Sequence, residues 1–403
     1  MNHGMPPALG PSLGSSPGPS DAYRDPPPFT AKAQGHELKF FPAGKDRFDA
    51  LCALIESAER TLKVAFYIYA EDESGRRFRD ALTTAARRGV QVELLIDGFG
   101  ADAHKAFFAE LIAAGGKFCC FIPHWGANFL IRNHQKIVSA DGEVAMLGGF
   151  NIEDSYFALP SENGWNDLAI TVEGEVVERI ESWFDELWDW AITPRAQLRS
   201  MLRKLRRWNA GENPVRLLIG GPTKGLSSWA RCVSQDLLRA KRLDMMMAYF
   251  SPAPKLLKRM QKIARNGEAR LVLPAKSDNG ATIGASRALY KGLLKARAHI
   301  YEFLPTKLHT KLIVLDDRVY IGSANFDMRS LFVNLEIVLM IEDAALADIV
   351  REFIAGHMPW CEEITPAVHK KRATVWNKAR WWISWFLVSV VDYSVSRRLN
   401  LGL

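Results

Sequence analysis

The chain has 403 residues, 48% hydrophobic and 24% charged, the balance of a globular protein with room for two domains or one large two-lobed body. A net charge of +7 and a pI near 9.1 point to an acidic partner: nucleic acid, anionic lipid or a phosphorylated substrate. Five cysteines, at 52, 119, 120, 232 and 361 with no C-x-x-C spacing, argue against a disulfide framework or thiolate metal site and read as reduced cytosolic thiols.

Residues 1–35 have the Pro, Gly and Ser content of a disordered tail, with order expected near Leu38 and no secretory apolar segment. Apolar spacing then predicts a helix over Asp46–Ala58, a strand over Leu62–Tyr69 and a helix over Phe78–Arg88 stopped by Gly89. A strand over Val90–Ile96, a helix over Ala103–Ala114 and a strand over Phe118–Ile122 follow. Trp165–Val172 reads as a strand and Glu175–Trp190 as a long helix. The second half repeats the order: strands Leu243–Phe250, Leu271–Leu273 and Leu335–Ile341, and helices Lys255–Arg265, Ala285–Lys295 and Ala344–Gly356. Strands alternating with helices give an α/β fold: two similar units, 36–194 and 214–366, each a mixed β-sheet flanked by helices.

Two further segments are basic. The linker 195–213 contains Arg195, Arg199, Arg203, Lys204, Arg206 and Arg207, interleaved with Leu198, Met201, Leu202 and Leu205. It fits either a solvated linker helix or an amphipathic element at an anionic membrane. The tail 367–403 sets Trp381, Trp382 and Trp385 between Lys370, Lys371, Arg372, Lys378 and Arg380 on one side and Arg397 and Arg398 on the other. It fits a helix in the headgroup region, or one docked on the body by its aromatic face. No stretch reaches the roughly 18 apolar residues of a spanning helix, so a spanning protein is excluded and a surface-bound one is not.

One stretch occurs twice. Arg132-Asn133-His134-Gln135-Lys136-Ile137-Val138 leads to Asp141 and Gly148-Gly149-Phe150-Asn151; Leu308-His309-Thr310-Lys311-Leu312-Ile313-Val314 leads to Asp316 and Gly322-Ser323-Ala324-Asn325. Residues two apart on a strand share a face, so each copy sets an imidazole beside an ammonium. Two histidines can divide labour between nucleophile and general acid–base, while Lys136, Lys311, Asn151 and Asn325 offer cations and amide donors to several anionic oxygens. That set suits a phosphoryl centre in which lysine supplies the stabilising charge, with no metal or other cofactor expected. A nucleophilic imidazole needs a partner for its other nitrogen. Asp167 and Glu336, in corresponding places of the two repeats, are the candidates; Asp141 and Asp316 fall at hairpin ends, suited to the turn or to substrate.

The doubled H-x-K-x4-D with G-[GS]-x-N downstream resembles the phospholipase D superfamily over nearly all of residues 38–364. Gly148-Gly149-Phe150-Asn151 and the run from Gly322 through Asn325 to Ser330, with Asn334 and Glu336 after it, are similar to bacterial cardiolipin synthases. The resemblance implies two phospholipase D-like domains related by a pseudo-two-fold with the active site at their interface, and makes His134, Lys136, Asp141, His309, Lys311 and Asp316 the catalytic set. It implies phosphatidyl transfer between two phosphatidylglycerols through a phosphohistidine on His134, with His309 as acid and then base. The implied partner is anionic phospholipid at the membrane surface and not nucleic acid; the implied place is the cytoplasmic face of the cell membrane, bound peripherally; the oligomeric state stays open. The start of the chain lacks the transmembrane helices of one cardiolipin synthase group, which fits the shorter, peripheral kind. A hydrolase or nuclease of the same superfamily, and an inactive lipid-binding protein, are the competing readings. The second copy is one residue shorter between Asp316 and Gly322, which predicts a shorter hairpin and makes Asp316 the weakest correspondence.

Overall fold

The computed structural model describes residues 23–122, 131–193, 198–223 and 225–391, so much of the Pro/Gly-rich tail and the last residues of the basic tail, Arg397 and Arg398 included, lie outside the described residues. The first half begins with β1 (Phe29–Ala33), β2 (His36–Phe41), α1 (Gly44–Ser57), β3 (Thr61–Phe66), α2 (Glu73–Arg87), β4 (Gln91–Asp97), α3 (Ala109–Ala113) and β5 (Lys117–Phe121). It closes with the hairpin β6 (Ile137–Ala140) and β7 (Val144–Gly148), α4 (Asp154–Phe157), β8 (Ala169–Glu173) and α5 (Val176–Ile192). After α6 (Leu198–Arg207) come β9 (Val215–Gly220), α7 (Ser228–Arg239), β10 (Arg242–Met247), β11 (Phe250–Ser251), α8 (Pro254–Asn266), β12 (Glu268–Pro274), α9 (Gly280–Lys295) and β13 (His299–Phe303). The hairpin β14 (Lys311–Leu315) and β15 (Arg318–Gly322) is followed by β16 (Phe326–Asp327), α10 (Met328–Phe332), β17 (Glu336–Glu342), α11 (Ala344–Gly356) and β18 (Cys361–Glu363). Helices α12 (Pro366–Arg372) and α13 (Val375–Phe386) end the described chain, with a wider turn at Leu387–Val391.

The strands form two eight-stranded sheets, ordered β1-β2-β8-β7-β6-β3-β4-β5 and β18-β13-β12-β10-β14-β15-β17-β9. Read from opposite ends, β2-β8-β7-β6-β3-β4-β5 corresponds strand for strand to β9-β17-β15-β14-β10-β12-β13. In each sheet β3-β4-β5 or β10-β12-β13 is parallel and the rest antiparallel, as helical crossovers and tight hairpins respectively require. Side chains alternate between two cores. Ile337, Leu339 and Ile341 of β17 enter the core shared by both halves, with α5, α6 and α11, while Val338 and Met340 enter the outer core of the second half. Each such side chain contributes about 1.5–3 kcal/mol on burial, so the shared core binds the halves into one body.

Several expectations are corrected. Order begins well before Leu38: β1 pairs with β2 through a turn in which Gln34 and Gly35 both have positive φ, and Tyr23 packs edge-on against Phe303 at 5.1 Å. The strand expected to reach Tyr69 stops at Phe66, because the chain turns out of the sheet to bridge Tyr69 to Ile152. The strand expected from Trp165 starts at Ala169, since Asn166 is bridged to Leu308 of the other half. The helix expected over Ala103–Ala114 is a 3-10 turn, Lys105–Phe108, followed by the short α3. For the basic linker, packing decides between the two readings: Met201 and Leu205 of α6 are buried, and Leu198 and Leu202 pack on the shared core. Its apolar face is therefore occupied by the protein itself.

Candidate active site

The segments just ahead of β6 and β14 leave their own sheets and meet the other half. Leu335 N donates to Arg132 O at 2.9 Å and His134 N to Leu335 O at 3.0 Å. The second copy repeats the arrangement, with Asn166 N donating to Lys307 O at 2.8 Å and His309 N to Asn166 O at 2.7 Å. Each motif thus runs beside the segment of the opposite half that carries a carboxylate, Glu336 directly after Leu335 and Asp167 directly after Asn166.

The side chains complete the exchange. His134 Nδ1 donates to Glu336 Oε2 at 3.0 Å, and His309 Nδ1 donates to Asp167 Oδ2 at 2.6 Å. A carboxylate can only accept, so the proton sits on Nδ1 and each Nε2 presents a lone pair. Burial pushes His134 down to about 4; burial together with the nearby Lys311 charge pushes His309 to about 3. Both are neutral bases at pH 7. For Asp167 burial alone would raise the carboxyl, but His309 and Lys311 outweigh it and hold it below the ordinary value.

Lys136 and Lys311 are buried, and each Nζ donates to the backbone carbonyl of its own motif histidine, at 2.7 and 2.5 Å. Burial pushes them down to about 7 and about 8. An arriving phosphodiester would replace lost hydration with an anion and restore their charge. Asn325 has a buried side-chain oxygen with no protein partner. Asn151 is more committed: its amide donates to Tyr156 Oη at 2.9 Å and its oxygen accepts from Ile68 N at 3.2 Å. It thereby braces Tyr156, whose ring stands 5.1 Å from that of His309.

Asp141 and Asp316, expected in the catalytic set, sit instead in the hairpin turns, both with positive φ. Asp141 accepts from the backbone N of Glu59, Arg60 and Thr61 at 2.8, 2.7 and 2.7 Å. Asp316 accepts from Lys241 and Arg242 at 3.0 and 2.9 Å. Their carboxylates tie the β6–β7 and β14–β15 hairpins to the starts of β3 and β10. The expected shortening is present: β6 and β7 are joined by Asp141, Gly142 and Glu143, β14 and β15 by Asp316 and Asp317 alone. Asp316 keeps two of its counterpart's three backbone contacts, those from the strand start and the residue before it.

Two motif residues and several the motif did not reveal complete the site. A Cβ on Gly149 would lie 2.6 Å from Asp167 Oδ1 and 3.0 Å from Lys311 Nζ, so a side chain there would displace the Asp167 carboxylate or the Lys311 ammonium. The corresponding Ser323 instead donates its hydroxyl to Glu336 Oε2 at 2.5 Å. Arg47 of α1, fully buried, donates to the carbonyls of Asp167 and Pro42, and to Tyr156 O at 2.7 Å, pinning the loop that carries Asp167. Its signal was an arginine on the same helix face as Phe48, Leu51 and Leu54. The buried Asp97 carboxylate accepts from Asn133 N at 2.7 Å and so fixes the residue before His134. Aromatic rings crowd His309, with Trp165 at 5.1 Å and Tyr249 at 6.2 Å, whereas Tyr67 lies 4.9 Å from His134.

Comparison with known proteins gives the family. The family model described as "Cardiolipin synthase, PLD-like domain" matches residues 51–188 and 234–358. A cardiolipin synthase of Clostridium perfringens (strain 13) is 29% identical over 358 residues, covering 85% of this chain and 74% of its own. Cardiolipin synthase A of Pseudomonas entomophila is 30% identical over 341 residues, covering 82% and 70%. Among solved structures, phosphatidylserine synthase of Haemophilus influenzae shares the fold with a TM-score of 0.71 at 15% identity, over 93% of this chain and 97% of that one. Polyphosphate kinase of Porphyromonas gingivalis shares it with a TM-score of 0.58 at 14% identity, over 83% and 49%. With both repeats matched by the family model, the chain belongs to the cardiolipin synthase family of phospholipase D-like proteins.

Proposed function

We propose that the protein is a phosphatidyltransferase that joins two phosphatidylglycerols into cardiolipin and releases glycerol. The observation that carries this reading is the exchange of carboxylates between halves, which builds two oriented, neutral imidazoles and two buried lysines into one site. By the resemblance, His134 Nε2 attacks the phosphorus of the first lipid and forms a P–N bond as the P–O bond to glycerol breaks. As the anionic phosphate raises its basicity, His309 Nε2 takes up a proton from solvent and gives that proton to the departing oxygen. The hydroxyl of a second phosphatidylglycerol then returns a proton to His309 and attacks the phosphorus, and the P–N bond breaks to restore His134.

Lys136 and Lys311 hold the non-bridging oxygens and offset the charge that grows on them, with Asn325 and Asn151 as amide donors. Asp167 and Glu336 stabilise each imidazole as it becomes cationic. The rings of Tyr156, Trp165 and Tyr249 limit water beside His309, which favours an alcohol acceptor. Among the described residues no helix is long and apolar enough to cross a membrane, and the reading places the protein peripherally on the cytoplasmic face of the cell membrane, where its lipid substrate lies.

The purified chain would be given phosphatidylglycerol vesicles in excess EDTA, and lipids and headgroups analysed. Cardiolipin with an equal amount of glycerol is the expected result. Phosphatidic acid alone would make the protein a hydrolase, and oligonucleotide cleavage without lipid turnover would overturn the reading.

A further inference from the structure

Thirteen large hydrophobic side chains stand exposed among the described residues, and six belong to α13 and its following turn: Val375, Trp376, Trp382, Ile383, Phe386 and Leu387. Positions 375, 379, 382, 383 and 386 recur at three- and four-residue spacing, so they form one stripe. Trp376 is 86% exposed, Ile383 60% and Phe386 52%, values far from those of a core face. The helix is not a loose tail. Trp381 is buried on its opposite side and stacks on His369 at 5.6 Å, and Trp385 packs against the core of the second half. Ser384 sits so close to Gly284 of α9 that a Cβ there would lie 2.6 Å from Ser384 Oγ. One helix is therefore apolar on two faces, with only one of them covered among the described residues.

Charge selects what covers the other. Lys370, Lys371, Lys378 and Arg380 are exposed on and just before α13, and no acidic residue occurs between Pro366 and Val391. An apolar stripe with tryptophans and basic flanks is the pattern of a helix lying in the boundary between lipid headgroups and acyl chains.

Its place in the fold connects it to the site. His369 lies 6.3 Å from Tyr290, and Ser384 meets Gly284, so the chain runs along α9 toward the start of that helix. Just before α9, Asp278 accepts from Tyr249 Oη at 2.9 Å, and the Tyr249 ring lies 6.2 Å from that of His309. We propose that the outer face of α13 beds into an anionic bilayer surface, and that the α9–α13 pair sets the depth of the His309 side of the site relative to that surface. The activity part of the test rests on the transferase reading; the binding part does not.

The test uses the full chain and mixed phosphatidylglycerol–phosphatidylcholine vesicles, with thermal unfolding to establish that each variant is folded. Ile383→Glu with Phe386→Glu should weaken vesicle binding by more than about tenfold, and lower turnover of vesicle lipid in step. Turnover of short-chain phosphatidylglycerol below its micelle threshold should be unchanged. Lys378→Glu with Arg380→Glu, which leaves the apolar stripe intact, should weaken binding to these vesicles but not to phosphatidylcholine alone. Unchanged vesicle binding in the first variant would overturn the proposal. So would a wild-type dimer that this variant converts to monomers without loss of vesicle binding, since the face would then cover a second copy. If no protein turns over short-chain lipid, the transferase reading fails, while vesicle binding still decides the role of α13.

Discussion

Each motif imidazole is oriented by a carboxylate that its own half does not supply. Asp167→Asn and Glu336→Gln keep size but replace an acceptor with an amide that can hold the wrong tautomer. Each is expected to lower kcat by about 10²–10⁴-fold with little change in KM, measured as cardiolipin formation from phosphatidylglycerol. At Gly149 a methyl group would meet the Asp167 carboxylate and Lys311. Gly149→Ala should therefore depress activity more than Ser323→Gly, which removes one hydrogen bond to Glu336 and adds no bulk. Lys136 and Lys311, lowered to about 7 and 8, are charged below that range and lose their protons as pH rises through it. KM for phosphatidylglycerol should accordingly rise between about pH 7 and 9, and inorganic phosphate should move both lysine titrations upward in an NMR experiment.

At the scale of elements, the two hairpins are tied to β3 and β10 by aspartates in tight turns. Burial alone would raise Asp141, but the amides of Glu59, Thr61 and Arg60 outweigh it and hold the carboxyl low. A carboxyl lowered in the folded state stabilises it fully above the unfolded value and loses that contribution as pH falls through its lowered value. Asp141→Ala should cost about 1–2 kcal/mol in denaturant unfolding, while activity per folded molecule is retained; loss of activity at unchanged stability would return the residue to the catalytic set. The His-x-Lys pairs were legible because strand period alone puts residues two apart on one face. The partners of those histidines were named, but their exchange between halves was not legible. It depends on bridges such as Asn133 to Leu335, more than two hundred positions apart, for which no local pattern exists. β1 escaped for a different reason: Phe-Thr-Ala-Lys-Ala is short, and its place is set by pairing with β2 rather than by its own propensity.

For the whole molecule, the doubling of the sequence made the two-sheet architecture readable, while the shared core that joins the halves emerged only from the structure. That core and the site bury histidines at a cost in acid. His134, His309 and His357 are lowered, by burial first, to about 4, 3 and 4. Between those values and the unfolded value of about 6.5, the unfolded chain binds more protons than the folded one, so stability falls as pH drops through that window. Tm should decline from about pH 6.5 to 4. His357→Asn, far from the motif histidines in sequence and packed at steep angles against Phe353 and Phe303, should flatten that decline without altering activity at pH 7.

The crossed pairs also make each half incomplete alone. A two-fold dimer of identical halves would make the same contacts, each copy lending its acid to the other's histidine, but every side chain would then have to suit both positions at once. Glycine at 149 opposite serine at 323, and aspartate at 167 opposite glutamate at 336, need two halves of unlike sequence, which this single chain supplies. One chain therefore does more than fix a partner. It lets two corresponding histidines be unlike, as a reaction with distinct departing and entering alcohols requires.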